Sequence, residues 1–159
     1  MSGRTHTYTC SVTWTGNTGT GTSGYQAYSR DHVIAGPGKP ELPGSSDPAF
    51  RGDARRYNPE ELLLASLSTC HMLWYLHLCA DAKVTVVAYR DEPFATMAED
   101  AAKGGWFTGA TLRPIVTIAN GSDAAKAREL HHSAHEKCYI ANSVNFTVRC
   151  EPEIALEGE

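Results

Sequence analysis

Five cysteines are the residues of this 159-residue chain that are most able to do chemistry. Cys70 and Cys138 stand apart, because each is predicted to lie on the inward face of a helix and each has histidines close by in the sequence. The thiolate is the reactive form of cysteine, and it needs a cation or hydrogen-bond donors nearby. The arginines upstream of the first predicted helix that could serve are Arg30, Arg51, Arg55 and Arg56.

The other three cysteines are expected to be core residues. Cys10 and Cys150 each fall in the apolar register of a predicted strand, where a free cysteine behaves as a small hydrophobic residue. Cys79 follows Cys70 by nine residues, which places the two thiols on opposite faces of one helix. A disulfide between them is therefore excluded while that helix is intact.

Metal binding is the second chemistry that the spacing suggests. His131, His135 and Cys138 recur at i, i+4 and i+7, so they share one face of a predicted helix, and His-x-x-x-His is a metal-ligand spacing. Against this, Leu130 and Ala134 make the same face partly apolar. The residues alone leave both chemistries open, together with the roles of His71 and His132.

The first half of the chain predicts strands followed by one long helix. Residues 5–14 alternate between apolar and polar and predict a half-buried strand, and a second strand is expected around 25–34. A long Pro- and Gly-rich loop covers 36–57. Asn58 suits the N-cap, Pro59 the first helical position and Glu61 the third. The helix is expected to run to about Ala80 and, being apolar nearly all round, to be central and buried.

The second half adds strands, a helix and a last strand. Strands are expected at 83–90 and 106–119, with Gly104-Gly105 as a turn between them. A helix is expected at roughly 123–139, with Ala127, Leu130, Ala134 and Cys138 on one face, and a final strand at 144–150. This order predicts an α+β fold, with residues 1–159 forming a single domain.

Composition restricts the class of protein and its partners. The chain is 42% hydrophobic and 20% charged, with a formal net charge of -4, so we expect neither a nucleic acid nor an anionic membrane as partner. No unbroken apolar run of spanning length is present, and the N-terminus lacks the apolar core of a secretory signal, which predicts a cytoplasmic protein. The GTGTSG segment at 19–24 precedes a predicted strand rather than a helix, so no nucleotide cofactor is expected.

Two segments resemble the cysteine motifs of one known family. NPEELLLASLSTCH at 58–71 resembles the peroxidatic-cysteine segment of the OsmC/Ohr family, the osmotically inducible and organic hydroperoxide resistance proteins. AHEKCYIANSVNFTV at 134–148 resembles the segment of the second cysteine, about 70 residues further on and in the expected order. The resemblance implies an OsmC-like fold, with antiparallel-rich sheets around a long buried helix, an intertwined homodimer, and thiol-dependent reduction of organic hydroperoxides.

The resemblance also implies residue roles. Cys70 would be the peroxidatic residue, Cys138 the resolving residue, and Glu60 the carboxylate that positions an active-site arginine. That arginine lies on a strand ahead of the helix in OsmC-like proteins, which favours Arg30, with Arg51, Arg55 and Arg56 as alternatives. A Cys70 sulfenic acid and a Cys70–Cys138 disulfide would form, and a small thiol or a lipoyl or other dithiol protein would reduce the disulfide. The alternative is a small-ligand-binding protein with the same fold and no enzymatic activity.

Helix geometry adds an expectation about assembly. Glu60 and Cys70 are ten residues apart on one helix, which is about 15 Å along its axis. An antiparallel helix of a second copy could place one chain's Glu60 beside the other chain's Cys70. We therefore expect a homodimer whose sites combine residues from both chains.

Overall fold

A computed structural model, which describes residues 3–158, shows two compact units with their boundary between Leu62 and Leu63. The amino-terminal unit holds one three-stranded antiparallel sheet. The strands are β1 (Ser11–Trp14), β2 (His32–Ala35) and β3 (Leu42–Gly44), in that order in the sheet. Inside the long predicted loop, a short 3-10 turn at Pro48–Phe50 follows β3.

Strand β1 is exposed, contrary to the sequence prediction of a half-buried strand. Val12 is 65% exposed and Trp14 is 43% exposed. Cys10, just before β1, is also exposed, so the expectation of a core thiol is wrong at this position. The physical reason is that β1 is a short edge strand that pairs with β2 alone. The alternation of apolar and polar residues indicates which face of a strand can be buried. It does not show that another helix or sheet packs on that face.

Helix α1 (Pro59–Asp81) begins where the sequence predicts. The Asn58 side chain accepts a hydrogen bond from the backbone N–H of Glu61 at 2.8 Å, and the Glu61 carboxylate accepts one from the backbone N–H of Asn58 at 3.1 Å. This reciprocal pair satisfies two backbone donors at the start of the helix and fixes where it begins. The helix ends one residue beyond the expected Ala80.

Only one stripe of α1 is fully buried. Leu67, His71, Tyr75 and Cys79 recur every four residues and form this stripe. Leu73, on another face, is 62% exposed, so the expected burial on all sides is wrong for the single chain. Helix α1 is long and apolar enough to cross a bilayer, although the sequence predicts no spanning helix. The core helices of soluble proteins can have the same length and composition.

The carboxyl-terminal unit contains two three-stranded sheets and a second helix. In each sheet the central strand pairs antiparallel with one neighbour and parallel with the other. The first sheet has the order β4 (Val86–Asp91), β7 (Pro114–Ile118), β9 (Glu153–Leu156), and the second has the order β5 (Phe94–Asp100), β6 (Gly104–Leu112), β8 (Thr147–Cys150). Strands β5 and β9 were not predicted. Gly104 opens β6 with a φ of 80°, a conformation that favours glycine.

Helix α2 (Ala124–Lys137) matches the prediction closely. Asp123 caps its start by accepting a hydrogen bond from the backbone N–H of Lys126 at 2.9 Å. The predicted inward residues Ala127, Leu130 and Ala134 are buried, and they pack in one core with the Tyr75 end of α1 and with strand β7. The α+β prediction is confirmed.

Candidate functional site

The structure brings together the two cysteines that the sequence singled out. Cys70 lies on α1, and Cys138 is the C-terminal cap of α2, where the backbone becomes extended. The Cys70 thiol is close enough to raise the pKa of Cys138, and both thiols are free rather than joined in a disulfide. The two helices therefore bring two free thiols near each other.

The two thiols differ in their surroundings. Cys138 is only 1% exposed, whereas Cys70 is partly exposed. Burial, together with the neighbouring Cys70, raises the pKa of Cys138 to about 11, against the lowering effect of the Ala141 and Ile140 backbone N–H groups. The Ala141 N–H lies 3.4 Å from the Cys138 sulfur. Cys138 therefore keeps its proton at neutral pH and can donate it to the Cys70 sulfur.

An aromatic pair lies beside the thiols. Trp74, one turn after Cys70, makes an edge contact with Tyr139, with the ring centroids 5.7 Å apart. Tyr139 follows Cys138 directly and is 65% exposed. Lys137 Nζ lies 5.7 Å from the centroid of the Trp74 ring. The thiol pair thus adjoins an accessible apolar surface with one cation at its edge.

Arg30 and Glu60, the other predicted site residues, lie in the amino-terminal unit. The Arg30 guanidinium donates hydrogen bonds to the carbonyls of Tyr28 at 2.7 Å and Tyr25 at 2.8 Å, and it stacks on both rings. Arg30 precedes β2 rather than lying on a strand, because pairing begins only at His32. Glu60 lies in the first turn of α1 and is partly exposed.

The alternative arginines have local partners or are exposed. Arg55 pairs with Asp53 at 2.8 Å while remaining largely exposed, and Arg56 approaches Asp31 at 3.6 Å. Arg51 is exposed and has a positive φ of 66° after the 3-10 turn. These contacts orient the loop before α1.

A second cluster joins His71 of α1, His131 of α2 and Cys150 of β8. His71 Nε2 lies 2.9 Å from His131 Nδ1, and the Cys150 sulfur lies 3.5 Å and 3.9 Å from these two nitrogens. Tyr75 stacks on His131 with the ring centroids 3.8 Å apart, which fixes the orientation of that imidazole. Both histidines are buried, and their outer nitrogens have no hydrogen-bond partner among the described residues.

Burial determines the charge of this cluster. It lowers the pKa of His71 to about 4 and that of His131 to about 3, so both imidazoles are neutral at neutral pH. It also raises the pKa of the Cys150 thiol to about 12. The cluster is thus neutral, with one hydrogen shared between the two facing nitrogens.

The cluster corrects the sequence-based metal hypothesis of His131, His135 and Cys138. Cys138 leaves the helical path at the α2 cap and contacts Cys70, so it does not join His131. Cys150, which was expected to be an ordinary core thiol, lies against both imidazoles. The sequence did offer a signal for this cluster: His71 lies on the buried stripe of α1, and Cys150 falls in the inward register of the last predicted strand.

Comparisons with known proteins agree on one family. The family model described as OsmC-like protein matches residues 52–153. A structure of an OsmC-like protein of unknown function from Vibrio cholerae is 30% identical over 93% of this chain and 99% of its own, with a TM-score of 0.85. A comparison with curated protein sequences found no match.

Two organic hydroperoxide resistance proteins share the fold. The one from Legionella pneumophila is 18% identical with a TM-score of 0.66, over 95% of this chain and 99% of its own. The one from Bacillus subtilis is 23% identical with a TM-score of 0.60, over 93% of this chain and 98% of its own. With the family model covering well over half of the sequence, the chain belongs to the OsmC-like protein family.

Proposed function

We propose that this protein is a thiol-dependent peroxidase that reduces organic hydroperoxides. The observation that carries the proposal is the interaction between Cys70, in the middle of α1, and Cys138, at the C-terminal cap of α2, with both thiols free. The names of the Legionella and Bacillus structural relatives support a role with hydroperoxides.

The reaction has three balanced steps. The Cys70 thiolate attacks the distal oxygen of the hydroperoxide, the O–O bond breaks, and the alkoxide leaves and takes up a proton, which gives a Cys70 sulfenic acid and an alcohol. The Cys138 thiol then attacks the Cys70 sulfur, which releases water and forms the Cys70–Cys138 disulfide. A small dithiol or a dithiol protein reduces this disulfide and becomes a disulfide itself.

The order of the two cysteines follows from their surroundings. Cys138 is buried, and its raised pKa keeps it as a thiol at neutral pH, which suits a residue that waits for a partner to be oxidised. Cys70 is the more accessible of the two, so a hydroperoxide from solvent can reach its sulfur. These surroundings support Cys70 as the peroxidatic residue and Cys138 as the resolving residue.

The surface beside the thiols favours an alkyl or aryl hydroperoxide over hydrogen peroxide. Trp74 and Tyr139 form an edge contact next to the pair, and Leu73 is exposed one turn after Cys70. Apolar side chains of this kind can bind the organic group of the substrate, while hydrogen peroxide has no such group.

The proposal includes a homodimer in which Glu60 of one chain orients an arginine, with Arg30 as the first candidate, toward Cys70 of the other. Its support is the roughly 15 Å between Glu60 and Cys70 along α1. The exposed apolar faces of α1, including Leu73, are further support, because a second copy would cover them.

A peroxide-consumption assay tests the function. Reduced protein is mixed with cumene hydroperoxide or hydrogen peroxide in the presence of dihydrolipoamide, and peroxide loss is followed for the unmodified chain, Cys70→Ser and Cys10→Ser. We expect turnover of cumene hydroperoxide, its loss in Cys70→Ser, and unchanged turnover in Cys10→Ser, whose exposed thiol is the matched control. Equal turnover in the two variants would refute Cys70 as the nucleophile.

A further inference from the structure

We propose that His71, His131 and Cys150 form a binding site for a borderline-soft divalent cation, of which Zn²⁺ is the representative. The three donor atoms come from α1, α2 and β8 and lie within 4.8 Å of one another. Imidazole nitrogen and cysteine sulfur are the ligand types that Zn²⁺ prefers in proteins. This cluster shares no residue with the thiol pair, so the inference is independent of the proposed peroxidase.

The three donor atoms are already spaced for a metal ion. Their separations are 2.9 Å, 3.5 Å and 3.9 Å. A point equidistant from all three lies about 2.0 Å from each atom, close to the usual Zn–N distance of about 2.0–2.1 Å and a little short of the Zn–S distance of about 2.3 Å. Tetrahedral coordination asks for an N···N separation of about 3.3 Å and N···S separations of about 3.6 Å, so each changes by less than about half an ångström.

Binding replaces one hydrogen bond by three metal–ligand bonds. In the metal-free chain the near-coplanar imidazoles face each other through a single shared hydrogen. On binding, both rings turn so that the lone pairs of His71 Nε2 and His131 Nδ1 converge, and each ring carries its hydrogen on the outer nitrogen. Cys150 loses its thiol proton to solvent and binds as a thiolate.

A cavity gives the ion a route to the cluster and a fourth ligand. It has a volume of about 320 Å³, and both His131 and Cys150 line it. His135, one turn after His131, lines the same cavity, and its buried Nδ1 has no hydrogen-bond partner among the described residues. A water molecule from the cavity can take the fourth position, since His135 is not among the donors that lie within 4.8 Å of one another.

Cobalt spectroscopy tests the site in a Cys70→Ser/Cys138→Ser background, which removes the thiol pair as a competing ligand. We expect one equivalent of Co²⁺ to give a thiolate-to-cobalt charge-transfer band with visible d–d bands, and Zn²⁺ to displace it. Adding Cys150→Ser should abolish the charge-transfer band and weaken Zn²⁺ binding by more than about 100-fold, because losing even a group that only hydrogen-bonds to a metal ligand weakens binding by up to about 100-fold. Adding Cys10→Ser, the exposed thiol, should change neither.

Three results would overturn the site. One is a background protein that is folded by circular dichroism but shows no charge-transfer band. Another is a band that persists in Cys150→Ser, and the third is a band that is present in the unmodified chain and lost in the background, which would place the metal on the thiol pair. If Cys150→Ser does not fold, the melting temperature of the background protein decides the question. One equivalent of Zn²⁺ should raise that temperature, and an unchanged temperature would refute the site. Because this background has no peroxidase thiols, the outcome is separate from that of the activity assay.

Discussion

The raised pKa of Cys138 gives a quantitative prediction about its reactivity with a thiol-alkylating reagent. With a pKa of about 11 instead of 9.0, the thiolate fraction at pH 8 falls from about one tenth to about one thousandth. The greater intrinsic nucleophilicity of a more basic thiolate recovers about a factor of ten of this hundredfold deficit. At pH 8 we therefore expect Cys138 to react about tenfold more slowly than a free cysteine in a peptide, before any effect of restricted access.

The shape of the pH profile separates this cause from restricted access. Fully reduced protein is pulsed with iodoacetamide between pH 7 and pH 11, and the modified Cys138 peptide is quantified by mass spectrometry. Because the group is a thiol below its pKa, the rate should rise close to tenfold per pH unit up to about pH 11. Restricted access alone would lower the rate by a constant factor and would leave the midpoint near 9.0.

Two observations would refute this reasoning. A plateau in the Cys138 rate at or below pH 9 would mean that burial does not hold the proton on this sulfur. A profile unchanged by Cys70→Ala would mean that the two thiols do not interact, because the neighbouring Cys70 is one of the groups that raise the pKa of Cys138. The midpoint of that variant should move toward 9.0.

Four further outcomes are expected. Cys138→Ser should consume one equivalent of peroxide and then stop or slow sharply, with Cys70 over-oxidised, as mass spectrometry would detect; undiminished cycling would show that Cys138 is not the resolving residue. Trp74→Ala should lower kcat/KM for cumene hydroperoxide about tenfold and leave that for hydrogen peroxide nearly unchanged, and equal losses would argue against an apolar substrate surface. Asn58→Ala should lower the free energy of unfolding by about 1 kcal/mol in a urea titration, through loss of the α1 cap, and no change would show that the cap is replaced by solvent. Mixing inactive Cys70→Ser and Glu60→Ala chains should restore activity in heterodimers, and no recovery despite confirmed subunit exchange would place the whole site within one chain.

Helix limits were predictable from the sequence because local chemistry sets them. The Asn58 and Glu61 pair fixes the start of α1, and Asp123 fixes the start of α2, each through hydrogen bonds that span three residues. Strands β5 and β9 were missed for a related reason. Both carry acidic residues in an irregular pattern, and pairing makes them strands: β5 pairs with β6, which follows it directly, and β9 pairs with β7, far away in the sequence.

The thiol pair could be predicted only through the resemblance to a family, and the imidazole–thiol cluster was not predicted. Cys70 and Cys138 lie close together because α1 packs near the end of α2. The spacing of residues in the sequence does not predict this packing. The histidine spacing on α2 suggested a site within one helix, whereas the observed cluster draws one residue from each of three elements. Periodicity describes the residues of a single helix or strand, so it cannot predict a site whose residues come from three elements.

The phase of α1 has a consequence for how this family can vary. Cys70 and His71 are consecutive, so their side chains leave the helix about 100° apart. Saturation mutagenesis of α1 should therefore show two interleaved series of sensitive positions, each with a four-residue period. Substitutions in the buried series should lower the abundance of the protein in the cell; this series is Leu67, His71, Tyr75 and Cys79. Substitutions of Cys70 and Trp74 should lower peroxide tolerance alone. Substitutions can be tolerated in either series independently, but a single-residue insertion before Cys70 would rotate both at once. Natural relatives should accordingly differ along α1 by replacement and keep its length between the cap and the thiol.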